Sequence, residues 1–185
     1  MVAALAGRRI DAEDSATPRF LLENAPAVAD RIRSCFQSRK VSTLVCAAAR
    51  GADLLALEVA GELGIRRCIV LPGDAASFRA SSVVDGLVDE RQGEYQWGAI
   101  FDRILETVSQ DGDLIVCANG AAGHESYLAA NIAILDQAAR LALPANEVLA
   151  TLVWNLASRG PGDVTAAFRD EAVRRGIRIE EISTL

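Results

Sequence analysis

The sequence predicts an α/β fold: a Rossmann-like, doubly wound, mostly parallel sheet of about six strands with helices on both faces. Three observations carry that prediction. Short apolar runs alternate with segments of helical periodicity along the whole chain. Residues 41–71 read as strand, Ala/Gly turn, helix and strand within about thirty residues, the length of one βαβ unit. Of the 185 residues 51% are hydrophobic but only 5% aromatic, a balance that suits Ala/Leu/Val helices laid close on a sheet better than a sandwich of bulky rings.

In chain order, residues 2–6 are a brief apolar run stopped by Gly7, read as the first strand. Phe20, Leu21, Ala25, Val28, Ile32 and Phe36 recur at three- and four-residue steps, the mark of an amphipathic helix. Residues 41–46 form a continuous buried strand, 53–63 a helix ending at Gly64, and 67–71 a strand ending at Pro72. The crossover between these strands is expected to be right-handed. Residues 73–96 lose periodicity and gather Ser, Asp, Gly and charges, and so long a connection is usually a lid or a binding loop. Residues 100–108 resume a helix, 114–117 a strand, and 125–143 a helix closed before Pro144. Residues 148–154 are the fifth strand, 164–175 a helix closed by Gly176, and 177–182 the last strand. No repeat, low-complexity tract or Pro/Gly-rich linker interrupts them, so residues 1–185 are expected to be a single domain.

Charge narrows the partners. Nineteen basic against twenty-five acidic residues leave a net charge of −6, Lys40 is the only lysine, and no basic block is dense enough to neutralise a run of phosphates. No nucleic-acid partner and no anionic lipid surface is expected. Cys35, Cys46, Cys68 and Cys117 show no metal-ligand spacing and read as buried thiols of a reducing compartment. No run approaches the roughly 18 apolar residues of a membrane span, and the first residues are unlike a signal peptide. A cytoplasmic protein without metal or cofactor is expected.

In a doubly wound sheet ligands bind beyond the carboxyl ends of the strands. Gly7-Arg8-Arg9 follows the first strand, residues 47–53 the second, Pro72-Gly73 the third, Asn119-Gly120 the fourth and residues 160–165 the fifth. Small residues let the backbone approach a ligand, and amides at a helix start favour phosphate. Arg8, Arg9 and Arg50 offer bidentate donors for the same anion. Glycines after strands also serve plain turns, and Asp53, Asp163 and Thr165 are ordinary helix-start residues. An Asp aimed at phosphate would repel it, so Asp163 at a ligand would accept from a ribose hydroxyl or a base. Glu58 stands inside an otherwise apolar helix, either solvated, paired or facing a ligand. His124, the only histidine, opens a helix, and Tyr127 and Asn131 share one face of it. No nucleophile elbow, zincin, Walker or complete dinucleotide motif is present.

Four stretches, residues 4–11, 45–72, 126–138 and 149–182, carry a resemblance in the right order over about two thirds of the chain. They hold a Gly-Arg-Arg turn, a strand and turn ending in Arg50-Gly51-Ala52-Asp53, a helix with Tyr127 and Asn131, and a Gly160-Pro161-Gly162-Asp163-Val164-Thr165 turn between strand and helix. In these the chain resembles the SLOG superfamily, the Rossmann-like group that includes the DprA DNA-processing proteins and the LOG phosphoribohydrolases. The resemblance implies a pocket for a nucleotide-derived small molecule between two glycine turns, lined by Gly7, Arg8, Arg50, Gly51, Ala52, Asp53, Gly160, Gly162, Asp163 and Thr165, with Tyr127 and Asn131 beside them.

Two departures decide between the family's roles. The turn after the second strand carries Ala47, Ala48 and Ala49 where the family has glycines. The last turn is followed by Ala166, Ala167 and Phe168, where LOG-type hydrolases place a glutamate that supports cleavage of the N-glycosidic bond. The expected function is therefore binding or sensing of a nucleotide-derived ligand. The alternatives are a LOG-like nucleoside-monophosphate phosphoribohydrolase using Glu58 or Asp163, and a noncatalytic oligomeric scaffold. A homodimer built on the long Ala/Leu-rich helix, and an effector protein as partner, complete the expectation.

Overall fold

The computed structural model describes residues 1–12, 15–87, 91–117, 123–142 and 147–185. Its elements are β1 (Val2–Gly7), α1 (Ala25–Ser38), β2 (Thr43–Cys46), α2 (Ala52–Glu62), β3 (Arg66–Leu71), the short α3 (Ala75–Phe78), β4 (Arg91–Gln92), β5 (Tyr95–Gln96), α4 (Trp97–Gln110), β6 (Leu114–Val116), α5 (His124–Leu141), β7 (Val148–Trp154), α6 (Val164–Arg174) and β8 (Arg178–Ser183). Six strands form one sheet in the order β6-β3-β2-β1-β7-β8, and every pairing in it is parallel. The fold is the α/β doubly wound arrangement that the alternating pattern predicts.

Side chains alternate across the strands, and each face finds its own helices. Ala3 and Leu5 of β1, Leu44 of β2 and Ile69 and Leu71 of β3 pack with α1, α2 and α4. Ala4, Val45, Val70 and Leu152 face the other way, onto Ile134, Leu135 and Ala138 of α5 and Phe168 and Ala172 of α6. Burial on both faces explains why these strands read as unbroken apolar runs. It also explains α2, whose residues 52–57 are all buried because it is wedged between the sheet, α1 and α4.

The chain steps outward from β1 through β2, β3 and β6, then returns along α5 to place β7 on the other side of β1. Successive crossovers therefore leave in opposite directions at β1 and β7, which opens a crevice beyond their carboxyl ends.

Residues 73–87 and 91–96 are more ordered than the composition of this segment suggests. Asp74 caps α3 by accepting from Ser77 N at 2.9 Å, and a wide turn follows in which Val84 N donates to Arg79 O. Phe78 and Val83 are buried, with Phe78 stacked on Phe101 of α4 at 6.2 Å. Further on, Tyr95 stacks on the fully buried Trp97 at 4.6 Å. The Asn119-Gly120 turn lies outside the described residues. Among those residues no helix is long and apolar enough to cross a membrane, and no cluster of His, Cys, Asp and Glu is disposed to hold a metal. The four cysteines are free thiols; Cys46 and Cys68 are buried, and burial pushes the Cys35 thiol up to about 11.

Gly51 combines a left-handed backbone with close backbone neighbours. Its φ is +97°, and a Cβ there would lie 2.7 Å from Ile10 N and 2.9 Å from Arg8 O. Gly64, at φ +66°, has open space instead. Gly51→Ala is expected to lower urea-unfolding stability by about 2–3 kcal/mol, strain and overpacking together, and Gly64→Ala by only about 1 kcal/mol. Equal losses would show that the contact of α2 with the turn after β1 is immaterial.

Candidate ligand-binding cleft

β1 stops at Gly7 because nothing larger fits. A Cβ there would sit 2.3 Å from Ala52 Cβ and 2.7 Å from Val153 O, so the first turn of α2 and the strand β7 close directly on its backbone. The next residue, Arg8, reaches across this junction to the β7–α6 turn. Its two terminal nitrogens donate to Asp163 Oδ1 at 2.6 Å and Oδ2 at 2.8 Å. Nε donates to Asn155 Oδ1 at 3.2 Å, the Ala157 carbonyl accepts at 2.7 Å, and the guanidinium lies 5.5 Å over the Trp154 ring.

Asp163 is equally committed. It accepts from Thr165 N and Ala166 N as the N-cap of α6, and from Arg159 N at 2.8 Å. Its side chain is fully buried. Burial alone would push its carboxyl up, but Arg8 and the backbone N–H groups of Arg159 and Ala166 outweigh that and hold it well below the usual carboxylate range.

This pair revises the expectation for both residues. The two turns do converge, but through an ion pair that fills the Arg8 fork and the Asp163 lone pairs, leaving neither to grip a ligand. Gly160 and Gly162, at φ +90° and +81°, shape the turn without lining the cleft. Gly51 and Ala52 also lie behind the wall. The amide of Ala52 donates to Arg8 O at 3.1 Å, so this first amide of α2 serves the fold.

The cleft beside this junction has a volume of about 520 Å³. Its described charged residues are Arg8, Arg9, Arg19, Arg50 and Arg159 against Asp11, Asp53 and Asp85. Arg9 and Arg50 strap down the turn at residues 81–85. Arg9 donates to Ser81 O at 3.2 Å and to Asp85 Oδ2 at 3.1 Å, while Arg50 donates from its amide to Ser82 O and from its side chain to Asp85 O. Both arginines keep a buried Nε with no partner among the described residues. Burial, followed by the charge of Arg9, lowers the pKa of Arg50.

From α5, Tyr127 OH meets Ser82 Oγ of the turn at residues 81–85 at 2.7 Å, and Asn131 Nδ2 donates to Val164 O at 2.8 Å, with Thr165 also lining the cleft. Asp53 faces the cleft with a single hydrogen bond, from Ala49 N at 3.2 Å. Burial pushes its carboxyl up to about 7, against the pull of that amide.

Glu58 does not reach the cleft. It points away from the sheet to an ion pair with Arg103 of α4 at 2.8 Å, because its side of α2 meets α4 instead of the strand ends. His124 is exposed at the start of α5 and meets the β7–α6 turn near Gly162. Arg19, Arg159, Asp11, Ser82 and Asp85 were not legible as site residues. Arg19 arrives through the loop after β1, held where Asp11 accepts from the amides of Arg19 and Phe20 and where Thr184 Oγ1 donates to Arg19 O. A Pro-Arg pair in a charged loop carries no periodic signal for that.

No family model matches the sequence, and no curated protein matches it. Among solved structures, the chain is similar to an X-ray structure of DNA processing protein A (DprA) from Streptococcus pneumoniae, with a TM-score of 0.41 and 14% identity over 97% of this chain and 57% of that one. The chain thus spans a little over half the length of that structure.

Two consequences are measurable. Breaking the buried pair with Arg8→Met or Asp163→Leu should each cost about 3–5 kcal/mol in urea unfolding, with the double variant recovering much of the loss; additive losses would deny the pairing. Asp53 behaves in the opposite sense. Its folded pKa is raised above the unfolded value of about 4, so the stability it contributes is present below pH 4 and lost as pH climbs to about 7. Asp53→Asn should therefore be more stable than the parent by about 2 kcal/mol at pH 8, with the gain shrinking towards pH 4.

Proposed function

We propose that the cleft binds a nucleotide-derived small molecule, with its phosphate against Arg9, Arg19, Arg50 and Arg159. One observation carries this reading: in a chain of net charge −6, the cleft at the topological switch point gathers five arginines against three aspartates. Arg8 and Arg159 both approach the buried Asp163, but only Arg8 has its fork filled by that carboxylate. An anion approaching this protein is repelled at long range and finds favourable charge here. The volume of about 520 Å³ falls within the range of about 300–1,000 Å³ usual for small-molecule sites. Tyr127, Asn131 and Thr165 supply the polar edge that a ribose or base needs. The resemblance of the Arg50-Gly51-Ala52-Asp53 and residue 160–165 turns to the SLOG superfamily points the same way.

Binding is favoured over hydrolysis by the fate of two carboxylates. Glu58 is tied to Arg103 outside the cleft, and Asp163 is sealed by Arg8 and three amides. Neither is placed to stabilise charge developing on a ribose.

Nucleoside monophosphates are expected to raise the melting temperature, since a ligand of the native state stabilises it by mass action. Arg19→Ala should weaken AMP by about tenfold and adenosine hardly at all, as expected for loss of one charge-assisted contact. Equal weakening would place Arg19 away from the phosphate, and no shift with any nucleotide at millimolar concentration would remove the reading. Incubation with AMP should release no free adenine on chromatography; release would restore the hydrolase.

A further inference from the structure

Among the described residues the cleft holds one buried carboxyl with no cation of its own. Asp53 is 7% exposed, lines the cleft, and takes a single hydrogen bond, on Oδ2, from Ala49 N. Its Oδ1 has no partner among the described residues. The charged and titratable groups around it are otherwise engaged. From β2 comes Cys46, whose thiol burial pushes well above its usual value, so it stays neutral. From the end of β1 comes Arg8, committed to Asp163; from the turn after β2 comes Arg50, which donates to Asp85 O through one terminal nitrogen. From the strapped turn comes Asp85, paired with Arg9, and from α5 come the uncharged Tyr127 and Asn131.

A carboxyl so placed has two states with opposite chemistry. Protonated, it donates to an acceptor; ionised in a site of low dielectric, it needs a donor or a positive charge. A phosphate would be repelled by the ionised form, so the arginine-bearing walls and Asp53 sort a ligand end from end. We propose that Asp53 is the specificity-determining residue of the cleft, accepting a hydrogen bond from an N–H of the ligand's nitrogen heterocycle. The inference rests on the nucleotide-binding reading above and adds to it an orientation, phosphate towards the arginines and base towards Asp53. The bond that forms is N–H to carboxylate. The bond that breaks is the O–H of the free carboxyl, whose proton passes to solvent.

Burial raises the Asp53 carboxyl to about 7, and a donor on the ligand stabilises its ionised form. Affinity then rises with pH up to about 7 and levels above it. The test is isothermal titration of AMP, GMP, CMP, UMP and ribose 5-phosphate at pH 6 and pH 8, each in two buffers of different ionisation enthalpy. Ribose 5-phosphate carries the same phosphate without a base, so the phosphate's own ionisation near pH 6 is subtracted. The tightest-binding nucleotide should bind about tenfold better at pH 8 than at pH 6 beyond any change for ribose 5-phosphate, and release close to one extra proton at pH 6. Asp53→Asn keeps an acceptor for Ala49 N. It should abolish this difference and weaken the nucleotide by about tenfold at pH 8, leaving ribose 5-phosphate unchanged.

If nucleotides bind with no more pH dependence than ribose 5-phosphate, or if Asp53→Asn binds them as the parent does, the role of Asp53 is overturned while the binding function stands. An equal loss for ribose 5-phosphate and nucleotide also overturns it, since Asp53 would then serve the ribose or the fold. If no probe binds the parent protein at millimolar concentration, both readings fall.

Discussion

The buried ion pair between Arg8 and Asp163 is the contact on which the rest of the molecule's business end depends. It joins the first strand to a turn more than 150 residues later in the chain, and both partners are almost entirely out of water. Two bare charges there would be untenable, because desolvation costs several kcal/mol for each ion. Here the guanidinium is also satisfied by Asn155, Ala157 and the face of Trp154, and the carboxylate by the amides of Arg159, Thr165 and Ala166. A single arginine thereby sets the course of the β7–α6 turn, the start of α6 and the wall that carries Arg159 and Thr165.

The arginines of this region divide by what they hold. Arg8 is spent on the fold. Arg9 and Arg50 are half spent, since each ties down the turn at residues 81–85 yet keeps a buried Nε without a partner among the described residues. Arg19 and Arg159 are placed by their backbones and line the cleft, and Arg159 also holds its Nε 3.7 Å from Asp163 Oδ1. The gradation matters because backbone carbonyls bond a guanidinium without cancelling its charge. A positive potential therefore survives in the cleft even where hydrogen bonds are made, which a full set of carboxylate pairs would have extinguished.

Much of this architecture was legible in the sequence, and for a definite reason. The strands are buried on both faces, so β1, β2, β3 and β7 appear as plain apolar runs, and β7 matches its expected bounds of residues 148–154. Helix ends shifted by one residue at α2 and α6, but α1 begins at Ala25 although its apolar pattern starts at Phe20, and α4 spans residues 97–110 against the expected 100–108. The site was read less well because its pairings are tertiary. That two turns meet follows from strand order, but the ion pair that joins them has no local sequence signal, and a motif that predicts ligand contacts at Arg8 and Asp163 cannot say that they satisfy each other. Glu58 fails for a related reason: helical spacing shows that it leaves the apolar face, not that Arg103 of α4 waits there. Residues 73–87 and 91–96 lack periodicity because their order comes from a cap, a wide turn and single buried aromatics.

Thr184 gives the outermost strand a part in the cleft. Just beyond β8 it is fully buried, bonded through its amide to Trp154 O and through its hydroxyl to the carbonyl of Arg19, while its own carbonyl takes the side chain of Asn24. Edge strands are commonly the first part of a sheet to fray. In this molecule such fraying would withdraw a peg from beneath the segment that presents Arg19, so the readiness of the cleft is tied to the integrity of a margin that carries none of its lining.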